Sequence, residues 1–140
     1  ELLLLMSSRL NHINNIIKPA LNKGKLVLSD RFCDSTFVYQ CHVNGFNIKN
    51  GLMLHRILLD NFFPKKTFLF LLSSKEILHR LKIRKESNKY DIKKLDFHSK
   101  IIRGYKILSK NSKRFILIDA EKSFDEIQIK LQNEILNIIK

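Results

Sequence analysis

At 140 residues, 44% of them hydrophobic, the chain is long enough for one hydrophobic core and is expected to form a single domain over residues 1–140. Its 26 Lys+Arg against 13 Asp+Glu give a formal net charge of +13, but the excess is mostly lysine, spread along the chain beside abundant Asn and Ile. AT-rich codon usage yields that composition without a nucleic-acid partner, and none is expected here. Cys33 and Cys41 fit neither a disulfide framework nor a metal-ligand spacing and imply free thiols in a reducing, cytoplasmic setting; Glu1 to Met6 is too short to span a bilayer or to be a full signal peptide.

The opening segment predicts a helix from Glu1 to Asn22, with leucines and isoleucines at mixed three and four spacing for packing on a sheet and Gly24 as its stop. Lys25 to Ser29, K-L-V-L-S, reads as a buried strand of a parallel sheet. Directly after it comes D-R-F-C-D-S-T-F-V-Y-Q, Asp30 to Gln40. Ligands of open α/β sheets bind just beyond the carboxyl ends of strands, which puts Arg31 at the crevice. A phosphate monoester takes an arginine fork through two parallel charge-assisted hydrogen bonds, with a neighbouring carboxylate to orient it or to hold a magnesium shell; Arg31 and Asp30 supply both. Ser35, Thr36, Tyr39 and Gln40 can then bond a sugar or base edge while the Tyr ring packs on the sugar face. The Asp-Arg dipeptide alone is as readily a structural ion pair, and the Ser/Thr a helix cap; the full string carries the nucleotide reading.

A helix follows Ser35, a loop surrounds Asn44 to Asn50, a helix runs from Gly51 to Asn61, and Pro64 breaks the chain before a strand. Thr67 to Leu72 and Phe115 to Ile118 are continuous apolar runs suited to buried parallel strands, with helices at Lys75–Arg84 and Lys94–Lys110 between them. The basic stretch Arg80 to Lys89, R-L-K-I-R-K-E-S-N-K, has the composition of a cover over polyphosphate; taken alone it is equally a solvated helix end.

These motifs resemble the bacterial thymidylate kinases, which carry D-R-[YFH]-x-x-S-[ST]-x-A-Y-Q after their third strand. Glu1 to Leu21 looks like the family's helix E-x-L-L-F-x-A-x-R-x-Q-H ending in I-x-P-A-L; Asn88 to Tyr105 resembles D-R-[FI]-E-x-E-x-x-x-F-H-x-[KR]-[VT]-R-x-[GA]-Y; F-I-L-I-D-A, Phe115 to Ala120, matches the last strand and its loop. The resemblance covers nearly the whole chain. It implies a three-layer α/β nucleoside monophosphate kinase fold of the P-loop class, a parallel sheet ordered 2-3-1-4-5, and transfer of the γ-phosphoryl of Mg·ATP to dTMP, giving dTDP for dTTP synthesis. Arg31 would grip the acceptor phosphate and Asp30 support it or the Mg2+ shell. Arg9, Leu5, Ser35, Thr36, Tyr39 and Gln40 would present dTMP, with Tyr39 filling the space of a ribose 2′-hydroxyl. The lid, residues 80–89, would bring Arg80, Lys82, Arg84 and Lys89 onto the phosphates, Arg80 and Arg84 stabilising charge during transfer. Asp119 and Ala120 would border adenine, although Asp119 could equally cap a helix. His12, His98 and Tyr105 read first as packing residues. A homodimer is implied for the full-length enzyme.

Several positions depart from the family. Leu5 stands where an aromatic stacks on thymine, a loss of roughly 0.5–1.5 kcal/mol if aromatic pairing is the guide. Lys82 and Lys89 keep charge but lose the arginine fork. Asn44 stands for an Arg, Leu71 for an Asp and Val38 for an Ala. None of Gly24, Gly45, Gly51 and Gly104 belongs to a G-x-x-x-x-G-K-[ST] phosphate loop. The chain is therefore expected to be an N-terminally truncated piece lacking the P-loop and the first two strands, inactive and unstable alone. The alternatives are a kinase of another nucleoside monophosphate and a non-catalytic basic remnant that binds nucleic acid.

Overall fold

The computed structural model describes residues 1–83 and 91–139. The first helix is one long rod in three parts: α1 (Leu2–His12), a wide π turn at Ile13–Ile17, and α2 (Lys18–Asn22). Its buried stripe, Met6, Ile13 and Ile17, follows helical spacing. The rod ends where Gly24 takes a left-handed conformation, φ +69°.

The nucleotide-motif segment begins with α3 (Cys33–Thr36), a single turn that runs into a π-helical stretch at Phe37–Val43. Asn47 caps α4 (Ile48–Leu59), its side chain accepting from the backbone N–H groups of Lys49 and Asn50. That cap starts the helix three residues earlier than the Gly-to-Asn reading of the sequence. After Pro64 come β1 (Thr67–Leu71), α5 (Ser74–Ile83), α6 (Asp91–Lys110), β2 (Phe115–Asp119) and α7 (Phe124–Ile139). β1 and β2 pair in parallel, Thr67 opposite Phe115 and Leu71 opposite Asp119.

Two expectations are corrected. Lys25–Ser29, expected as a buried strand, has no regular secondary structure and pairs with no strand among the described residues, whose sheet is β1 and β2. A run apolar on both faces requires cover on both; Val27 packs against Ile13, Ile17 and Leu59, whereas Leu26 and Leu28 are 58% and 77% exposed. The second correction is α7, which the sequence reading did not assign. Ser123 and Glu126 start it as a capping box: the Ser123 hydroxyl accepts from the Glu126 N–H at 3.3 Å and the Glu126 carboxylate accepts from the Ser123 N–H at 3.1 Å.

Two small cores flank the motif segment. Ile13, Ile17 and Leu59 form one, with Phe32 and Phe62 against it; Cys33, Phe37 and Cys41 form the other, joined by Phe63 and Leu108. Glycines permit the close approach. A Cβ on Gly51 of α4 would stand 2.7 Å from the Cys41 sulfur, and one on Gly104 of α6 would stand 2.9 Å from the His42 ring and 3.1 Å from Val38. The segment carrying the motif is thus wedged between α4 and α6 at near-contact backbone distance.

Candidate active site

Arg31 occupies the turn between Lys25–Ser29 and α3, in the left-handed region at φ 68°. Few non-glycine residues adopt that conformation, and it aims the side chain back along the following helix. There the guanidinium donates to the Tyr39 hydroxyl at 2.6 Å and lies 4.8 Å from the Tyr39 ring centroid. Partial burial pulls the Arg31 pKa down, but its hydrogen bonding to Tyr39 and Tyr105 outweighs this and holds it above the ordinary value. Ser29 donates to the Arg31 carbonyl at 2.9 Å, bracing the turn. Asp30, next to it, is exposed.

Arg9 reaches the same segment from α1. It donates to the Thr36 hydroxyl at 3.0 Å and to the Phe32 carbonyl at 3.4 Å, with its charge 5.2 Å from the Phe32 ring centroid. Burial lowers its pKa, against the opposing pull of Cys33 and Asp34. Its Nη1 is buried and meets no acceptor among the described residues. A buried donor without a partner costs about 1–3 kcal/mol. Leu5, one helical turn earlier, is 38% exposed and leaves an apolar surface beside that donor's helix face.

Ser35, Tyr105, Tyr39 and Gln40 make the remaining contacts around this segment. The Ser35 hydroxyl pairs with the Tyr105 hydroxyl of α6 at 2.8 Å, so Tyr105, read from sequence as packing, belongs to the cluster. Tyr39 meets Phe97 of α6 edge to face, 6.2 Å between centroids. Gln40 donates to the Glu1 carboxylate at 3.0 Å. The Cys33 thiol, buried behind the cluster, is pushed up to about 12 by burial first and by Asp34 second, which removes it as a nucleophile at neutral pH.

A second group forms at the carboxyl ends of β1 and β2. Ala120 continues the ladder, its N–H donating to the Leu71 carbonyl at 2.9 Å, and the Asp119 carboxylate accepts from the Glu121 N–H in a local turn rather than capping a helix. Arg80 is tied down here: it pairs with Glu76 at 2.7 Å and donates to the Ala120 carbonyl at 2.9 Å. A cavity of ≈ 370 Å³ opens beside this group, lined by Leu72, Ser73, Asp119, Glu121, Lys106 and Lys130 among others. Arg9, Arg31, Thr36 and Tyr39 do not line it, so the two groups are separate flanks. Arg84 and Lys89 lie outside the described residues, as does the side chain of Lys82. Among the described residues no cluster of three His, Cys, Asp or Glu could hold a metal ion by itself. No described helix is long and apolar enough to cross a membrane.

Comparison with known proteins bears on both flanks. A family model described as thymidylate kinase matches residues 1–131. The thymidylate kinase of Orientia tsutsugamushi (strain Ikeda) is 39% identical across 99% of this chain and 65% of its own length; that of Geobacillus sp. (strain WCH70) is 40% identical across 91% of this chain and 62% of its own. The thymidylate kinase of Caldicellulosiruptor saccharolyticus is 34% identical, with the whole of this chain matched to 68% of the relative. The chain spans under two thirds of the length of the first two relatives and slightly more of the third. By the match of the family model to residues 1–131 and by these relatives, the chain belongs to the thymidylate kinase family.

Proposed function

We propose that this chain supplies the acceptor side of an enzyme that transfers the γ-phosphoryl of Mg·ATP to dTMP. The observation that carries the reading is the buried Arg9 Nη1, unpartnered among the described residues and joined through Thr36 to the segment that presents Arg31. A pyrimidine carbonyl would satisfy that donor, and the Arg31 fork would take the 5′-phosphate. Tyr39 holds Arg31 from one side and closes the space of a ribose 2′-hydroxyl; Ser35 and Gln40 complete the polar wall. Transfer then needs positioning and charge stabilisation rather than a covalent intermediate.

Mg2+ would arrive with ATP. A single exposed carboxylate such as Asp30 fits that use, because magnesium usually takes one or two carboxylates with phosphate oxygens and water. Asp119 and Ala120 would border adenine. Arg80, with Lys82, Arg84 and Lys89, would form the cover over the phosphates, and the Arg80 bond to the Ala120 carbonyl supports a link between cover and adenine loop. The family sheet order 2-3-1-4-5 would make Lys25–Ser29 the third strand and β1 and β2 the fourth and fifth; the exposed Leu26 and Leu28 support a further neighbour for that segment. A single cytoplasmic domain, homodimeric in the whole enzyme, completes the reading.

Leu5 in place of an aromatic favours a second reading, a related kinase of another nucleoside monophosphate. Competition among dTMP, dUMP, dCMP and dGMP for binding to the natural protein, by calorimetry, separates the two. We expect dTMP to bind most tightly and Arg9→Met to lose affinity for it by about tenfold or more. Preference for a purine, or an Arg9→Met variant that binds dTMP as the parent does, would overturn the proposal.

A further inference from the structure

Resting on the acceptor-side reading above, we infer that Arg114 is a positioning residue for the nucleoside-binding turn, acting through Asp34. Neither residue touches the proposed substrate position. Asp34 immediately precedes the Ser35–Thr36 pair, three residues after Arg31, and its side chain is buried, 7% exposed. Arg114, in the turn just before β2, meets it with both Nη atoms of its guanidinium: Nη1 donates to Oδ2 at 2.8 Å and Nη2 donates to Oδ1. The same Nη1 donates to the Thr67 hydroxyl of β1. The guanidinium lies 5.1 Å from the Phe63 ring centroid and 4.4 Å from that of Phe115, and its side chain is 16% exposed.

This arrangement substitutes for missing local control. α3 is one turn long, and its N-terminal residue Phe32 makes no side-chain cap. Arg9 and Tyr105 hold the Thr36 and Ser35 hydroxyls at their tips, but no side chain within the turn anchors the backbone that carries them. Arg114 anchors that backbone from outside by tying Asp34 to the aligned ends of both strands, where the Thr67 N–H already donates to the Arg114 carbonyl at 2.9 Å. The planar fork is required, since a lysine ammonium cannot grip both carboxylate oxygens and Thr67 in one plane. Burial of the pair makes breaking it costly, so the turn and the strands move as one body. Displacement of the hydroxyls by a fraction of an ångström would then fall on the nucleoside rather than on ATP.

The test compares the natural protein with its Arg114→Lys and Asp34→Asn variants at a temperature where each is folded, reading dTMP affinity by calorimetry, the separate KM values for dTMP and ATP, and hydrogen exchange of the 31–36 amides. For Arg114→Lys we expect KM for dTMP to rise about tenfold with KM for ATP unchanged, and exchange at 31–36 to accelerate about tenfold relative to α7. Asp34→Asn, which keeps the shape and one hydrogen bond, should fall between. A folded Arg114→Lys variant with lowered melting temperature but parental dTMP KM and no selective exchange at 31–36 would make the pair merely structural and overturn the inference. If the parent itself fails to bind dTMP, the proposed function falls, and the exchange comparison alone decides whether Arg114 holds the turn.

Discussion

Gly51→Ala tests the close packing of the motif segment directly. Inside a helix the change normally stabilises by roughly 0.5–1 kcal/mol, because glycine loses more backbone freedom on folding. Here the added methyl would stand 2.7 Å from the Cys41 sulfur, closer than real Cβ atoms approach, and Cys41 is itself buried in the core with Cys33 and Phe37. Overpacking of this kind costs typically about 1–3 kcal/mol, which exceeds the propensity gain and gives a net loss of about 1 kcal/mol. If the sulfur is the obstacle, Cys41→Ala removes it. Gly51→Ala should then become neutral or stabilising in that background, with a coupling of about 1–3 kcal/mol. Urea unfolding of the natural protein and the three variants, followed by circular dichroism, measures the cycle. A Gly51→Ala cost that is the same in both backgrounds to within about 0.5 kcal/mol would refute the packing argument.

Two further outcomes are expected. His55 is fully buried between Phe37 and Phe63, shares a hydrogen bond with the Phe62 carbonyl at 3.1 Å and leaves Nδ1 unpartnered among the described residues; burial chiefly, with Arg9 and Arg114 adding, lowers its pKa below the ordinary 6.5 against the pull of the Phe62 carbonyl and Asp34. The unfolded chain therefore takes up the proton first, so the neutral-His contribution is complete well above pH 6.5, declines as pH falls through 6.5 and levels off below the folded-state pKa. Urea midpoints at pH 8 and pH 5 should converge in His55→Leu, and an unchanged pH slope in that variant would count against the assignment. Ser123→Ala should cost about 1 kcal/mol by removing the cap of α7, read as faster amide exchange confined to the first turn of that helix; uniform acceleration across the protein would argue otherwise.

Elements with a strong local signal were legible. The apolar runs at Thr67–Leu71 and Phe115–Asp119 are strands, Gly24 ends the first helix, and the helix-borne Arg9 bonds Thr36 while Arg31 bonds Tyr39. Lys25–Ser29 is unpaired among the described residues; an apolar run signals burial on both faces without naming the neighbours that provide it. The S-x-x-E start of α7 does stand in the sequence, at Ser123 to Glu126, as a capping-box signal. The Asp34–Arg114 pair is not legible, since 80 residues separate its members and nothing in the motif that contains Asp34 names Arg114 as its partner. Tyr105 was undervalued for the same reason: only the fold brings it to Ser35, 70 residues away.

The left-handed backbone at Arg31 sets stability and activity against each other at one position. Glycine there would relax a conformation that costs a side-chain-bearing residue on the order of 1 kcal/mol, and would at the same stroke delete the proposed phosphate grip. A selection for heat resistance alone would therefore drift toward losing the arginine, whereas any lineage under demand for turnover must keep it and carry the strain. Thermal optimisation of this scaffold should accordingly hold position 31 constant and look for its gains elsewhere.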